Sequence, residues 1–375
     1  MNCYGSFIMN VTEECNFRCV YCPVNYKPQH ITLSTAKEIV EFCLTLVPEP
    51  HISFFGGEPL LVYEEIIKPL ILEYSGRVSW GISTNGSLLT KEILKFFYDN
   101  NVKILLSIDG PASVHDLQRK TKDGEPSFYL IEKWLKIISE FFPQTVFRST
   151  CTPLAPEGMI EGYKLAMQSG FKKYYNCAEE FSDNDWTFEK RQILANGLKE
   201  IEEHYIFCLN NNINPTVFLP LHEIINQFLS DDFYTDETQC YRCGLGTLSL
   251  GFDIYGNICA CNEHATYDIE DPFYIGNIKT GIDYNKLNNL HNNFHNISCK
   301  NCANWKSCRQ VCCLSRRYFM FKDFNTSSKI WCFWLNNLCT MASNIIEQVG
   351  KEKVLEFISN YEKKYEHPIH PTNSR

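Results

Sequence analysis

The chain has 375 residues, 44% of them apolar and 21% charged, with a net charge of −9 and a pI near 5.6. Ordinary hydrophobicity sets aside an intrinsically disordered chain, and the acidic balance sets aside a bulk nucleic-acid binder, which needs a basic face. The length suits one large α/β domain or two domains.

The N-terminus, M-N-C-Y-G-S-F-I-M-N-V-T-E-E-C, has neither the basic region nor the sustained apolar run of an export signal. No stretch approaches the roughly 18 apolar residues of a membrane-spanning helix. Nineteen cysteines in such a chain point to thiols kept reduced in the cytoplasm for metal binding rather than to a secreted disulfide scaffold.

Short apolar runs alternate with helical patterns up to about residue 215. The expected strands are Phe7–Val11, His51–Phe55, Val78–Ser83, Val102–Ile108, Thr145–Thr150 and Lys173–Cys177. Between them lie amphipathic stretches at Thr35–Val47, Thr90–Tyr98 and Glu132–Phe142. The first is opened by a capping box of Thr35 and Glu38, and the second by Thr90 as N-cap. This alternation indicates a parallel sheet, open or closed into a full or partial barrel, with chemistry at the C-terminal ends of its strands.

After the first strand, E-E-C-N-F-R-C-V-Y-C-P places Cys15, Cys19 and Cys22 in one short loop. Zinc wants four donors in a closed tetrahedron, and the nearest fourth candidate, His30, lies outside this loop. An iron–sulfur cube held by three thiolates keeps one iron free of protein ligand. Three further motifs end strands: Phe55-Gly56-Gly57-Glu58-Pro59, Ser83-Thr84-Asn85-Gly86, and Ser107-Ile108-Asp109-Gly110-Pro111 followed by His115, Asp116 and Arg119.

Around residue 212 the stretch N-I-N-P-T-V-F-L-P-L-H ends the regular alternation. Cys240 and Cys243 then precede an expected β-hairpin, Thr247–Cys261, with its turn at Tyr255-Gly256-Asn257. Beyond it come Phe273–Ile278, the run Cys299-x2-Cys302-x5-Cys308-x3-Cys312, and Cys332. A helical pattern over Leu338–Lys364 and a polar tail complete the chain.

The cysteine loop, with Tyr21 at its aromatic position, and the three strand-end motifs in this order resemble the radical S-adenosylmethionine (SAM) superfamily. The resemblance implies a partial (β/α)6 barrel, TIM-like, in which Cys15, Cys19 and Cys22 hold a [4Fe-4S] cluster whose open iron binds SAM. It further implies SAM contacts from Tyr21, Gly56, Gly57, Glu58, Pro59, Ser83 and Asn85, with Ser107 and Asp109 near the ribose. Arg148, on the fifth strand, is a candidate for the SAM carboxylate or a substrate carbonyl, beside the plainer alternative of a structural ion pair.

The later cysteines resemble a SPASM domain, a small cysteine-rich extension of β-hairpin and helices. It implies two auxiliary [4Fe-4S] clusters, one on Cys240, Cys243, Cys261 and Cys312, the other on Cys299, Cys302, Cys308 and Cys332. Cys259 and Cys313 are then spare, and Cys3, Cys43, Cys151, Cys177, Cys208 and Cys339 pack as small apolar groups. The implied boundaries are a core at 1–215, a linker at 216–239, the SPASM domain at 240–335, and a helix and tail at 336–375.

Enzymes of this architecture include anaerobic sulfatase maturases, which make formylglycine, and maturases of ribosomally made peptides, which install thioether or carbon–carbon crosslinks. In the former an Asp directly follows the hairpin cysteine as the proposed base, whereas Asn262 stands here; Glu263, Asp253, Glu179 and Glu180 are the available substitutes. The expectation is therefore a peptide maturase, with a sulfatase maturase as the alternative and a non-catalytic electron-transfer protein as a remote one. The implied partners are a peptide or protein substrate and a low-potential donor such as flavodoxin or ferredoxin, with neither nucleic acid nor membrane. Because the first strand starts almost at once, a leader-peptide-binding domain is expected to be absent or a separate protein.

Overall fold

The computed structural model describes residues 5–24, 26–229, 245–265, 270–293, 302 and 314–365. In chain order the first half runs β1 (Ser6–Thr12), β2 (Phe17–Cys19), α1 (Leu33–Leu46), β3 (His51–Gly56), α2 (Lys68–Glu73), β4 (Ser79–Thr84), α3 (Lys91–Asp99), β5 (Lys103–Ser107), α4 (Ala112–Gln118), β6 (Arg119–Thr121), α5 (Leu135–Phe141), β7 (Val146–Cys151), α6 (Gly158–Gln168) and β8 (Lys173–Ala178). Then follow α7 (Phe188–Asn210), β9 (Val217–Phe218), α8 (Leu219–Leu229), β10 (Ser249–Phe252), β11 (Asn257–Cys259), β12 (Tyr274–Asn277), β13 (Gly281–Ile282) and α9 (Tyr284–Asn292). Three helices close the described chain: α10 (Leu314–Phe321), α11 (Lys329–Val349) and α12 (Lys351–Tyr365).

One sheet organises the molecule, in the order β13-β12-β11-β10-β1-β3-β4-β5-β7-β8-β9. From β10 through β1 to β9 every pairing is parallel, whereas β10 to β13 pair antiparallel. The sheet ends at β9 on one side and β13 on the other, so it remains open. All six expected strands are present within a residue or two of their expected bounds, as is the hairpin of β10 and β11.

Side chains alternate between two environments along these strands. One face is packed: Ile52, Phe54, Ile82, Ile104, Leu106, Phe147 and Tyr174 are buried, with Phe54 stacked on Trp80 at 5.0 Å and Tyr174 against Tyr163 of α6 at 5.6 Å. The opposite face carries Ser53, Phe55, Ser83, Leu105, Ser107, Arg148 and Tyr175, each keeping partial access to solvent. The sheet therefore has a dry side under its helices and a wetter, polar inner side.

Three expectations change in detail. Helix α1 starts earlier, capped by Thr32, whose Oγ1 accepts from the Thr35 amide at 3.0 Å, so Thr35 lies inside the helix and is not its cap. Residues 217–229, expected to begin a linker, form β9 and α8, and α8 packs against α11. Pro220 fits there because a helix's first turn needs no amide donor. The helical pattern over 338–364 is two helices, broken at Gly350, whose φ of 94° is left-handed. Among the described residues no helix is long and apolar enough to cross a membrane.

Helix α11 is the packing hub of the C-terminal half, lying on α7, α8 and α12. Its Trp334 is 1% exposed and sits 4.9 Å from Trp331. Truncating it leaves a large cavity, so Trp334→Ala should cost about 3–5 kcal/mol. A urea titration of the parent and variant would read this as a lower midpoint with an unchanged slope.

Candidate functional site

The three clustered cysteines sit in the loop that leaves β1, at the C-terminal end of the parallel sheet. The loop is held as a small ribbon: β2 pairs antiparallel with β6, with Cys19 opposite Arg119, Arg18 opposite Lys120 and Phe17 opposite Thr121. Further backbone bonds run from the Val20 amide to Gln118 O (2.9 Å) and from the Lys122 amide to Asn16 O (2.9 Å). Cys22 closes a tight turn onto Cys19 O at 3.0 Å.

All three thiols are free, and Cys19 and Cys22 both lie close enough to Cys15 to act on its ionisation. Burial, reinforced by Glu58 and the neighbouring thiols, pushes Cys15 up to about 12. Burial likewise pushes Cys19 up to about 12, against the pull of Arg119. Both therefore keep their protons near neutrality until a metal group displaces them, so loading this site releases protons. His30 is committed elsewhere, 2.7 Å from Thr12 Oγ1 and 3.5 Å from Glu14. Among the described residues the loop offers three sulfurs and His30 adds no fourth donor, a donor count that suits a four-iron cluster with one iron free for a small ligand.

Behind the ribbon lies a buried ion pair. Asp109 is fully buried, and its Oδ2 stands 3.0 Å from Arg119 Nε. The same carboxylate accepts from Tyr21 Oη (2.9 and 3.1 Å), Gln118 Nε2 (3.1 Å) and the Thr150 amide (2.9 Å). Arg119 also lies over the Tyr21 ring at 5.3 Å and 3.9 Å from Cys19 Sγ. With both oxygens engaged inside the protein, Asp109 anchors the cysteine loop. His115 and Asp116 brace the same corner: His115 Nε2 is 3.1 Å from Ser127 Oγ, and Asp116 accepts from the Ser127 and Phe128 amides at 2.8 Å each.

The glycine pair explains itself by contact. A Cβ on Gly56 would lie 2.2 Å from Thr12 O, and one on Gly57 would lie 2.0 Å from Glu14 O. The Gly57 amide instead bonds Thr12 O at 2.8 Å, and the Glu58 amide bonds Glu14 O at 2.9 Å, pressing the end of β3 onto the cysteine loop. Glu58 is buried and caps the turn at Pro59, accepting from Leu60 N (3.1 Å), Thr84 Oγ1 (2.7 Å) and Asn85 N (2.7 Å). Burial lifts its carboxyl to about 7 despite those bonds.

Asn85 completes the knot through Asn16 (2.9 Å) and Ser87 (2.6 Å), while Asn16 bonds Ser87 at 2.8 Å. Three strand ends thus converge on the cysteine loop. Ser83 and Ser107 lie on the inner face, as does Arg148, opposite Ser107 across the ladder. Arg148 rests over the Tyr175 ring at 5.3 Å, and among the described residues no carboxylate comes within ion-pair distance of it. Sequence reasoning missed Asn16, Ser87, Gln118 and Tyr26. Tyr26, whose hydroxyl meets Cys22 and whose ring lies 4.3 Å from the Arg18 guanidinium, had only its closeness in sequence to mark it.

Of the expected auxiliary ligands, Cys240, Cys243, Cys299, Cys308 and Cys312 lie outside the described residues, as do Cys3 and Cys313. Cys261 is half-buried two residues past the end of β11; Cys302 and Cys332 are exposed. Cys43, Cys151, Cys177, Cys208, Cys259 and Cys339 are buried. The carboxylates weighed as bases separate clearly. Asp253 is consumed by its own turn, accepting from Tyr255 N (2.8 Å), Asn257 N (2.9 Å) and Asn257 Nδ2 (2.8 Å). Glu179 accepts from Ser182 N at 3.0 Å. Glu180, just past β8, meets Arg316 at 3.4 Å and Ser328 at 2.7 Å, and Arg316 also reaches Glu263 at 3.5 Å.

Residues 9–164 match the model of the Radical SAM superfamily. An uncharacterized protein of Methanocaldococcus jannaschii is 32% identical over 139 residues, a stretch of 36% of this chain and 48% of that relative. The chain thus spans about half the length of this relative. A cysteine-type anaerobic sulfatase-maturating enzyme of Clostridium novyi is 23% identical over 358 residues, covering 83% of this chain and 88% of the relative. Among solved structures, anSMEcpe with bound AdoMet and Cp18Cys peptide superposes with a TM-score of 0.71 at 17% identity, over 95% of this chain and 99% of that one. Streptococcus suis SuiB bound to precursor peptide SuiA gives 0.61 at 14% identity, over 88% and 76%. These structural likenesses establish a shared fold.

Two substitutions probe the site. Asp109→Asn strands a buried guanidinium, which should cost about 3–5 kcal/mol; urea unfolding would read the loss. Gly57→Ala forces β3 away from Glu14, so iron uptake on reconstitution should fall while the far-ultraviolet circular dichroism stays that of the parent.

Proposed function

We propose that this radical SAM enzyme modifies a peptide or protein substrate by taking a hydrogen atom from one of its carbons. The carrying observation is that three thiols, with no fourth donor beside them among the described residues, stand at the mouth of a half-solvated polar sheet face, inside a fold shared along most of its length with peptide-bound relatives. When bound, the cluster and SAM supply a 5′-deoxyadenosyl radical; the chain supplies position and shelter from water.

In this reading Cys15, Cys19 and Cys22 hold the SAM-binding [4Fe-4S] cluster. The backbone at Gly56 and Gly57 admits SAM closely, Pro59 and Glu58 fix that turn, and Ser83, Ser107 and Arg148 offer polar groups on the inner face. Asn85, Asp109 and Tyr21 act by holding the loops in register. Cys240, Cys243, Cys261, Cys299, Cys302, Cys308, Cys312 and Cys332 are proposed to hold two auxiliary clusters in a SPASM-like extension. A low-potential flavodoxin or ferredoxin serves as electron donor.

For the outcome we favour crosslinking, because Asn262 cannot take a proton and Asp253 is spent on its own turn. Formylglycine formation is the second reading, favoured by Glu263, whose side chain is 38% exposed beside Asn262.

Anaerobic reconstitution with dithionite and SAM should yield 5′-deoxyadenosine. Replacing Cys15, Cys19 and Cys22 together by Ala should remove one cluster's worth of iron and abolish that product; retained turnover in the triple variant would refute the assignment. Mass spectrometry of candidate peptides then separates the outcomes. A crosslink removes two hydrogens and keeps every sulfur, whereas formylglycine from Cys loses the sulfur.

A further inference from the structure

We infer that the outer face of the β2–β6 ribbon is the docking surface for an acidic one-electron carrier protein, an inference that rests on the SAM-cleaving role proposed for the adjoining cysteine loop. The two faces of this ribbon differ sharply. Its inner face presents Phe17, Cys19 and Arg119, with Phe17 and Arg119 buried. Its outer face sets Arg18 directly opposite Lys120, and both residues are exposed.

Like charges opposed across an antiparallel pair destabilise it, and while Arg18 is held by loop carbonyls and the Tyr26 ring, no contact of the described residues accounts for Lys120 opposite it. Arg18 cannot swing clear, because its guanidinium donates to Cys15 O and Phe17 O at 2.7 Å each. Lys122, next along, is also exposed, and among the described residues neither Lys120 nor Lys122 forms an ion pair. Asp123 and Glu125 follow in the turn beyond the ribbon.

Two exposed apolar side chains flank the ribbon in sequence, Val20 just after β2 and Leu117 just before β6. Val20 is 54% exposed and Leu117 is 48% exposed, joined through the Val20 amide bond to Gln118 O. Apolar contact bordered by cations is the complement of a carrier with an apolar centre and an acidic rim. On a chain of net charge −9, such a carrier is repelled broadly and drawn to this strip, which selects its orientation as well as its place. A carrier seated there is one ribbon's thickness from Cys19. It gives up one electron, the electron that reductive cleavage of SAM to methionine and the 5′-deoxyadenosyl radical consumes.

The test uses the full, cluster-loaded protein and a labelled flavodoxin, with K120E/K122E compared against K199E/K351E, a remote double reversal of equal net charge. Fluorescence anisotropy should show flavodoxin affinity at least tenfold weaker for K120E/K122E alone, and a salt dependence in the parent that this variant loses. With dithionite as reductant, both variants should form 5′-deoxyadenosine at the parental rate. Unchanged flavodoxin affinity in K120E/K122E overturns the docking assignment, whatever turnover shows. So does weakened binding of a candidate substrate peptide with flavodoxin binding intact, which would make the strip a substrate surface. Absence of 5′-deoxyadenosine in the parent with dithionite refutes the enzyme reading separately.

Discussion

Asp109 and Arg119 sit ten residues apart in sequence and form a buried pair whose reach extends well beyond its own bond. A carboxylate and a guanidinium removed from water gain little net stability from each other, yet removing either strands the other at several kcal/mol. Such a pair is therefore better at enforcing a geometry than at deepening a well. Here the enforced geometry is that of the cysteine loop: Asp109 receives Tyr21, and Arg119 lies opposite Cys19 in the β2–β6 ribbon. Gln118, between them in space, carries the constraint onward to β7 through Thr150 O and the Thr152 amide. The cysteine loop is thereby tied to two strands through groups that cannot relax separately.

The glycines impose the same constraint by a different force. Thr12 O and Glu14 O come within bonding distance of the backbone at Gly57 and Glu58, and no Cβ fits at Gly56 or Gly57. Backbone contact of this kind is stiffer than side-chain packing, since neither partner has a rotamer to change. Glu58 then spans from β3 to β4, and Asn85 spans from β4 back to Asn16 in the cysteine loop. The path closes on itself, so a shift in any one strand end must be shared by the other two. This is how strand-end motifs far apart in sequence form one rigid rim.

The strands were legible because their apolar runs and turn signals agree, and the rim was legible because its motifs fall at strand ends in order. What escaped the sequence was the division of labour among polar residues. That Asp109 is tied to Tyr21, Gln118 and Thr150 is invisible in one dimension; only burial and the positions of those partners reveal it. The cap of α1 was misplaced by one turn because Thr32 and Thr35 are equally good cap residues, and the preceding backbone decides between them. Residues 217–229 were hidden by Asn-Ile-Asn-Pro, whose turn signals are genuine but end just before β9. Gly350 was visible in the sequence, but a helix tolerates an isolated glycine, so only its left-handed φ marks the break between α11 and α12.

A last step concerns how the C-terminal part is held to the barrel-like sheet. Its strands continue the parallel sheet edgewise, with β10 beside β1, so the backbone of the extension is registered to the strand that launches the cysteine loop. At the other end Glu180 takes Arg316 and Ser328, and Asp183 accepts from the amides of Lys329 and Ile330, which fixes the start of α11 beside β8. The extension is thus clamped at two places along the sheet, by a ladder at β1 and by charge beside β8. Ladder bonds set distance, whereas the Arg316 bridge between Glu180 and Glu263 sets which polar groups face one another across the sheet's open side. A scaffold fixed at both places keeps the span between the cysteine loop and the Glu180 corner constant.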